Sequence, residues 1–349
     1  MTKKLFLVLG NGFSIDLLTH ANLIDELDVI NLFNNGSEVR WPGNNTAGFL
    51  SYRHCPNLWN LGARPNMTSQ ESMSLLEDII TCVNVYALRN MTPRASHSEK
   101  PNDIYIKAYH ELSIYLRSLF SYYNNKVDTI SDKLENWPWL NYLKEISTSK
   151  EYSEITIVTY NYDIWLERIL KELNISHRVS MISGGDFGDN PKIKILKPHG
   201  SISFYHTNQQ ESEFSIPYNR DILSDAVTDN FIVDYDIPVS RCLVNAMIPP
   251  AGDSDRFKHT WAGQIKQSVS GLAGQLKNDD DLMFCGLSYW HVDRSEIDDI
   301  LIKCSPEVNV YLFNPKPNPS FNAVLTSMFN NYVFHTNSNA LKGRYEECH

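Results

Sequence analysis

Five short turns hold the residues of this chain whose types and spacing suit chemistry. The first, Gly10-Asn11-Gly12-Phe13-Ser14, follows the apolar run 5–9 and opens a helix. Its glycines permit a tight turn and let a phosphate approach backbone N–H groups, and the helix start adds partial positive charge. Gly10, Asn11, Gly12 and Ser14 therefore read as a pyrophosphate cradle, against the plainer reading of a strand-to-helix turn. Position 15 is Ile15, so the third glycine of the dinucleotide fingerprint is missing, and no Gly-Lys-Ser/Thr of a P-loop follows. The second turn, Thr159-Tyr160-Asn161-Tyr162-Asp163, sets an amide and a carboxylate two residues apart. At the carboxyl end of a parallel strand, Asn161 is placed to orient a ribose hydroxyl or a water. Asp163 suits the same site or simply caps the next helix.

The third turn, Lys197-Pro198-His199-Gly200-Ser201, holds a histidine between proline and glycine. An imidazole there suits acid–base work near neutral pH, although, taken alone, a structural histidine is the plainer reading. The fourth, Cys285-Gly286-Leu287-Ser288-Tyr289, and the fifth, Asn314-Pro315, offer further nucleotide contacts or are ordinary turns. The remaining histidines, His20, His54 and His97 among them, have no assigned role.

Each turn follows an apolar run. Those at 5–9, 155–159, 282–285 and 308–313, with a further candidate at 193–196, read as strands buried on both faces of a parallel sheet. Helical patterns at 164–173, 293–303 and 322–329 alternate with them. The expectation is a doubly wound, Rossmann-like α/β fold with a mostly parallel sheet. In such a sheet the carboxyl ends of the strands share one edge, so the turns converge. Residues 30–150 carry no strong strand but helical patterns at 75–88, 104–123 and 134–146, and read as a helical insertion. Within it 37–72, rich in Asn, Gly and Pro, reads as loop or lid. Residues 183–256 read as an irregular excursion with hairpins. The whole, 1–349, is expected to form a single domain.

Lysine and arginine number 31 against 41 aspartates and glutamates, a net charge of −10. Such a chain is a poor partner for nucleic acid or an anionic membrane, whose affinity rests on basic patches. No apolar run is long enough to span a bilayer, and the apolar start at 5–9 is too short for a signal peptide. The six cysteines are widely spaced, which suits buried thiols in a reducing cytoplasm rather than a four-cysteine zinc site.

As an ordered set, GNGFS, TYNYD, KPHGS, CGLS and FNP resemble the sirtuin-like family, in particular the bacterial sirtuin-like NAD hydrolases of anti-phage defence. Flanking residues agree: Asn161-Tyr162-Asp163-x-x-x-Glu167, and Ile248-Pro249-Pro250 ahead of Trp261. The resemblance covers roughly residues 1–30 and 150–335 and leaves out 30–150. It departs from the protein deacylases, which carry a four-cysteine zinc module and follow the glycine loop with Gly-Ile-Pro-Asp-Phe-Arg; here the chain reads Ile15-Asp16-Leu17-Leu18-Thr19-His20.

The resemblance implies that Gly10, Asn11, Gly12 and Ser14 cradle the NAD⁺ pyrophosphate. Asn161 would hold the nicotinamide ribose and the attacking water, with Asp163 supporting that loop. His199 would be the general base, beside Gly200 and Ser201, and Gly286, Ser288 and Asn314 would meet the adenosine half. The implied activity is hydrolysis of NAD⁺ to nicotinamide and ADP-ribose by a toxic cytoplasmic effector of abortive anti-phage defence. NAD⁺ would be its substrate, with no zinc and no other cofactor. The family further implies control through a homo-oligomer and a separate sensor or activator. The alternative is a regulatory subunit that binds NAD or ADP-ribose without turnover. A deacylase and a nicotinamide dehydrogenase fit the motifs less well.

Overall fold

A computed structural model describes residues 2–90 (backbone only at 88–90), 103–127, 134–207, 214–216, 218, 226–236, 246–249, 260–289, 294–316 and 318–342. The chain opens with β1 (Lys3–Leu9) and α1 (Asn11–His20). A two-residue hairpin, β2 (Arg40–Trp41) and β3 (Thr46–Ala47), comes next. Helices α2 (Pro56–Asn60), α3 (Ser69–Asn90), α4 (Ile104–Lys126) and α5 (Pro138–Thr148) complete the insertion. The sheet resumes with β4 (Tyr152–Thr159), α6 (Trp165–Glu172), β5 (His177–Val179) and β6 (Ile193–Leu196). A hairpin of β7 (Phe204–His206) and β8 (Phe231–Val233) precedes α7 (Trp261–Ala273). The last elements are β9 (Asp281–Cys285), α8 (Arg294–Lys303), β10 (Asn309–Phe313), α9 (Pro319–Met328) and β11 (Asn331–His335).

Seven strands form one parallel sheet in the order β11-β10-β9-β1-β4-β6-β5. It grows outward from β1 in both directions, which makes the carboxyl end of β1 the topological switch point of a doubly wound α/β fold. The central strands are mostly apolar at their buried cores, with Thr156 of β4 a buried polar exception; Leu7 and Val8 of β1 are fully buried. Register keeps the strand ends level. Leu9 pairs with Thr159 on one side and Cys285 on the other, and Cys285 pairs with Phe313. The turns singled out in the sequence therefore start at one height.

The insertion packs against this core. Buried residues of α4, including Leu112, Leu116 and Leu119, belong to the same hydrophobic cluster as β1 and β4. Several of its aromatic residues are core: Trp137, Trp139, Tyr115 and Tyr123 are fully buried, whereas Tyr52 is exposed. Trp137 and Trp139 lie 5.3 and 5.5 Å from the Phe13 ring, and Trp137 Nε1 donates to Asp16 Oδ2 at 2.8 Å, which fixes α1. The segment 37–72, expected as loop or lid, is exposed over 43–47 but anchored at several buried residues. Phe49 and Leu58 are fully buried, and the buried Glu111 carboxylate accepts from Asn57 N at 3.1 Å and Leu58 N at 2.7 Å, closing the start of α2. No described helix is long and apolar enough to cross a membrane.

Of the sequence expectations, Pro250, His97, Asp293 and two cysteines, Cys242 and Cys348, lie outside the described residues. Cys55 and Cys285 are buried thiols as expected, whereas Cys82 is exposed.

Candidate active site

A line of direct contacts joins the turns along the sheet edge. Asn314 Nδ2 donates to Leu287 O at 2.8 Å, Gly12 N donates to Gly286 O at 3.0 Å, and Ser14 Oγ donates to Asp163 Oδ2 at 2.7 Å. Tyr160 packs edge-on against the His199 ring at 4.8 Å. One continuous line of touching turns thus runs from the end of β10 to the end of β6.

The glycine turn is engaged with protein. Gly10 N donates to Cys285 O at 2.9 Å, and Gly12 N to Gly286 O, so neither N–H points at open space. The backbones touch: a Cβ on Gly12 would sit 2.4 Å from Gly286 Cα, and one on Gly286, whose φ is +63°, 2.3 Å from Gly12 Cα. These glycines therefore serve loop-on-loop packing at the switch point. Asn11 sends its Nδ2 to Val29 O at 2.9 Å, holding the chain that leaves α1. We expect Gly12→Ala to destabilise the fold by about 1–3 kcal/mol through this overlap. Helix propensity alone favours alanine by about 1 kcal/mol, so a net loss in a denaturant titration isolates the clash. Unchanged or raised stability would remove this role.

Beside this turn, Asn161 and Asp163 form a buried polar cluster. Asn161 Nδ2 donates to Gly10 O at 3.0 Å and to Ser14 Oγ at 2.9 Å. Ser14 donates onward to Asp163, so the amide must present its nitrogen here, and Oδ1 is the oxygen left over. Oδ1 makes no hydrogen bond among the described residues. Asp163 Oδ1 accepts from Trp165 N at 3.1 Å, so the helix-start role exists alongside the bond to Ser14. Burial pushes the Asp163 carboxyl up from its ordinary value, opposed chiefly by the nearby charge of Lys197. That lysine is fully buried; its Nζ donates to Asp163 O at 2.5 Å and to Glu167 Oε1 at 2.8 Å.

The histidine turn is clamped from two sides. Gly200 adopts φ +87°, and a Cβ there would meet Ala246 O at 1.8 Å, so only glycine fits. Ile248 N donates to His199 O at 3.0 Å, and Tyr162 OH donates to Ile248 O at 2.6 Å, tying the two turns together. His199 itself is 3% exposed. Its Nε2 lies 3.1 Å from Glu296 Oε1, and Lys266 Nζ lies 2.6 Å from the same oxygen. Burial would raise the Glu296 carboxyl, but the charges and hydrogen bonds of His199 and Lys266 outweigh it and hold it down to about 2.

Not every expected contact residue faces outward. Ser201 is fully buried, with its hydroxyl against Ser203 Oγ at 2.9 Å. Ser288 is exposed, whereas Asn314 uses its side chain to tie the turn after β9 and to accept from Lys316 N at 3.1 Å. Two groups were not foreseen as site residues: Glu296 with Lys266, and Lys197 with Glu167. Among the described residues no cluster of His, Cys, Asp or Glu has the makings of a metal site. Neither a protein-family model nor a curated protein matches this chain.

Proposed function

We propose that the chain is an NAD⁺ hydrolase that cleaves the nicotinamide–ribose bond. The observation that carries this reading is that the carboxyl edge of a doubly wound sheet holds both an Asn161 Oδ1 without a hydrogen bond among the described residues and a His199 backed by the Glu296 carboxylate. That edge is where open α/β sheets bind nucleotides. Nicotinamide in NAD⁺ is a cationic leaving group: the C–N electron pair returns to the pyridinium nitrogen, and the ribose C1 becomes oxocarbenium-like, as in glycoside hydrolysis. Departure needs no general acid. Asn161 Oδ1 accepts from the ribose or from water, water adds to C1, and His199 takes its proton. The products are nicotinamide, ADP-ribose and a proton.

The resemblance to sirtuin-like defence hydrolases extends the proposal: the protein is a toxic cytoplasmic effector of anti-phage defence, kept silent until oligomerisation or a separate activator releases it. Unchecked NAD⁺ loss would kill the host, so the activity must be gated. The test is cellular NAD⁺ after expression of wild type and His199→Ala, with and without phage and with neighbouring genes present, alongside chromatography of NAD⁺ incubated with purified protein. Nicotinamide release by wild type alone supports the proposal. NAD⁺ that is bound but intact in every condition assigns the chain to the non-hydrolytic regulatory class.

A further inference from the structure

We propose that β11 is a dimer interface, at which a second copy of this chain adds its own β11 antiparallel and extends the sheet. The inference stands apart from the hydrolase reading, and its test reads mass and cross-linking, not turnover. The two edges of the sheet differ. Outside β5 the chain covers its own edge: His177 N donates to Phe187 O at 2.9 Å, Phe187 N donates back to His177 O at 2.8 Å, and Val179 N donates to Gly185 O at 3.3 Å. Outside β11 nothing comparable is found among the described residues. Asn314 N donates to His335 O at 3.0 Å, and Val310 pairs with Tyr332 in the parallel ladder, so residues 331, 333 and 335 turn their backbone groups toward β10. The N–H and C=O of Tyr332 and Phe334 therefore point outward, where they have no hydrogen-bond partner among the described residues.

Such an edge is a template for another strand unless charge, proline or a bulge blunts it. This strand, Asn331-Tyr332-Val333-Phe334-His335, has no Lys, Arg, Asp, Glu or Pro and keeps an unbroken register with β10. From Asn318 to Leu341, a stretch that spans α9 and β11, the sequence has no Asp, Glu, Lys or Arg, although the whole chain is 21% charged. Depletion of charge marks the core of an interface. Val333, at the middle of the strand, is 45% exposed.

The same features select the occupant. A two-fold axis beside Val333 sets the two Val333 side chains opposite each other, and Tyr332 of each copy opposite Phe334 of the other. Val333 then occupies a non-hydrogen-bonded pair, where side chains lie closest, while Tyr332 and Phe334 exchange N–H and C=O in both directions. A charged segment of a different protein finds no counter-charge on this strand, whereas the copy meets no like charge. Because the β5 edge is covered, each chain offers one free edge, and the pairing closes at two copies. The paired strands run in opposite directions, so the two candidate sites face opposite ways.

The full chain is weighed by sedimentation and light scattering as wild type, Val333→Lys and Val333→Glu, each alone, and as a mixture of the two variants. Wild type should show twice the chain mass. Either charge, set against itself across the axis, should raise the dimer dissociation constant by at least about 100-fold. An equimolar mixture of the two variants should restore dimers. A dimer indifferent to Val333→Lys, or a mixture that stays monomeric, would overturn the proposal. So would a wild type that is monomeric up to about 100 μM, a result that leaves the edge to a strand from a different protein. Should the charged variants not fold, Val333→Cys decides: a non-hydrogen-bonded pair is within disulfide reach, so mild oxidation should cross-link it into dimers well beyond wild type. A yield equal to that of wild type would overturn the proposal.

Discussion

Lys197→Met is expected to destabilise the protein by about 3–5 kcal/mol, the range for breaking a buried ion pair from one side. Lys197 is fully buried and Glu167 is 2% exposed, so neither finds water when the other is removed. The substitution leaves the Glu167 carboxylate uncompensated, with Oε2 already lacking a hydrogen-bond partner among the described residues. It also takes the ammonium away from Asp163 O and removes the largest influence opposing the upward push of burial on Asp163. A carboxyl raised in the folded state stabilises fully below its unfolded value, and that contribution is lost as pH rises through the folded value. The deficit of Lys197→Met should therefore be larger at pH 8 than at pH 5. Adding Glu167→Leu removes the orphaned charge and should recover most of the loss, since apolar replacement of a whole buried pair is often neutral. Urea titrations of both variants at the two pH values check this. A single variant within 1 kcal/mol of wild type, or a double variant no better than the single, would show that the pair does not hold the turn.

The strands that matter most were legible because their burial is two-sided. β1, β4, β9 and β10 read as continuous apolar runs, and β6 as a shorter one. The edge strands were not. β5 has three residues, and β11, Asn331–His335, leaves Val333 45% exposed, so neither carries the apolar signal of a central strand. Two helices, α3 and α9, begin ahead of their apolar patterns at 75–88 and 322–329 for a local reason. Asn318 caps α9 ahead of Pro319, and Thr68 and Glu71 bond reciprocally at the start of α3, so polar capping residues precede the first apolar position in both. Asn161, Asp163 and His199 could be named as candidates from motif and strand end alone. Glu296 could not: in the first turn of an acidic helix, a glutamate looks like solvent-facing compensation of the helix dipole. Only the tertiary fold brings it to the imidazole. Glu167 lies four residues beyond Asp163 and Lys197 opens the histidine turn, but no periodicity in sequence says that they pair.

Turnover and stability should fall in different orders across three substitutions, and that crossing separates chemistry from scaffolding at the site. His199→Gln keeps a side-chain donor for Glu296 and removes the base, so turnover of NAD⁺ should drop by about 10²–10⁴-fold with a small change in stability. Ser14→Ala removes the hydroxyl that accepts from Asn161 Nδ2 and donates to Asp163 Oδ2. It should lower stability by about 1–3 kcal/mol, because two buried polar groups lose a partner. Its turnover loss should be smaller than that of His199→Gln, since Oδ1 of Asn161 and the imidazole both remain. Asn161→Ala combines the two effects. Gly10 O and Ser14 Oγ lose their donor, and the acceptor proposed for the ribose or water disappears, so both quantities should fall. The expected order is therefore Asn161→Ala close to His199→Gln in turnover but close to Ser14→Ala in stability, read from nicotinamide release and urea midpoints on the same preparations. If Asn161→Ala loses stability but keeps wild-type turnover per folded molecule, Asn161 is a strut between the glycine turn and Ser14. If His199→Gln turns over NAD⁺ at the wild-type rate, the imidazole beside Glu296 is not the base, and the proton acceptor must be sought elsewhere on the same edge.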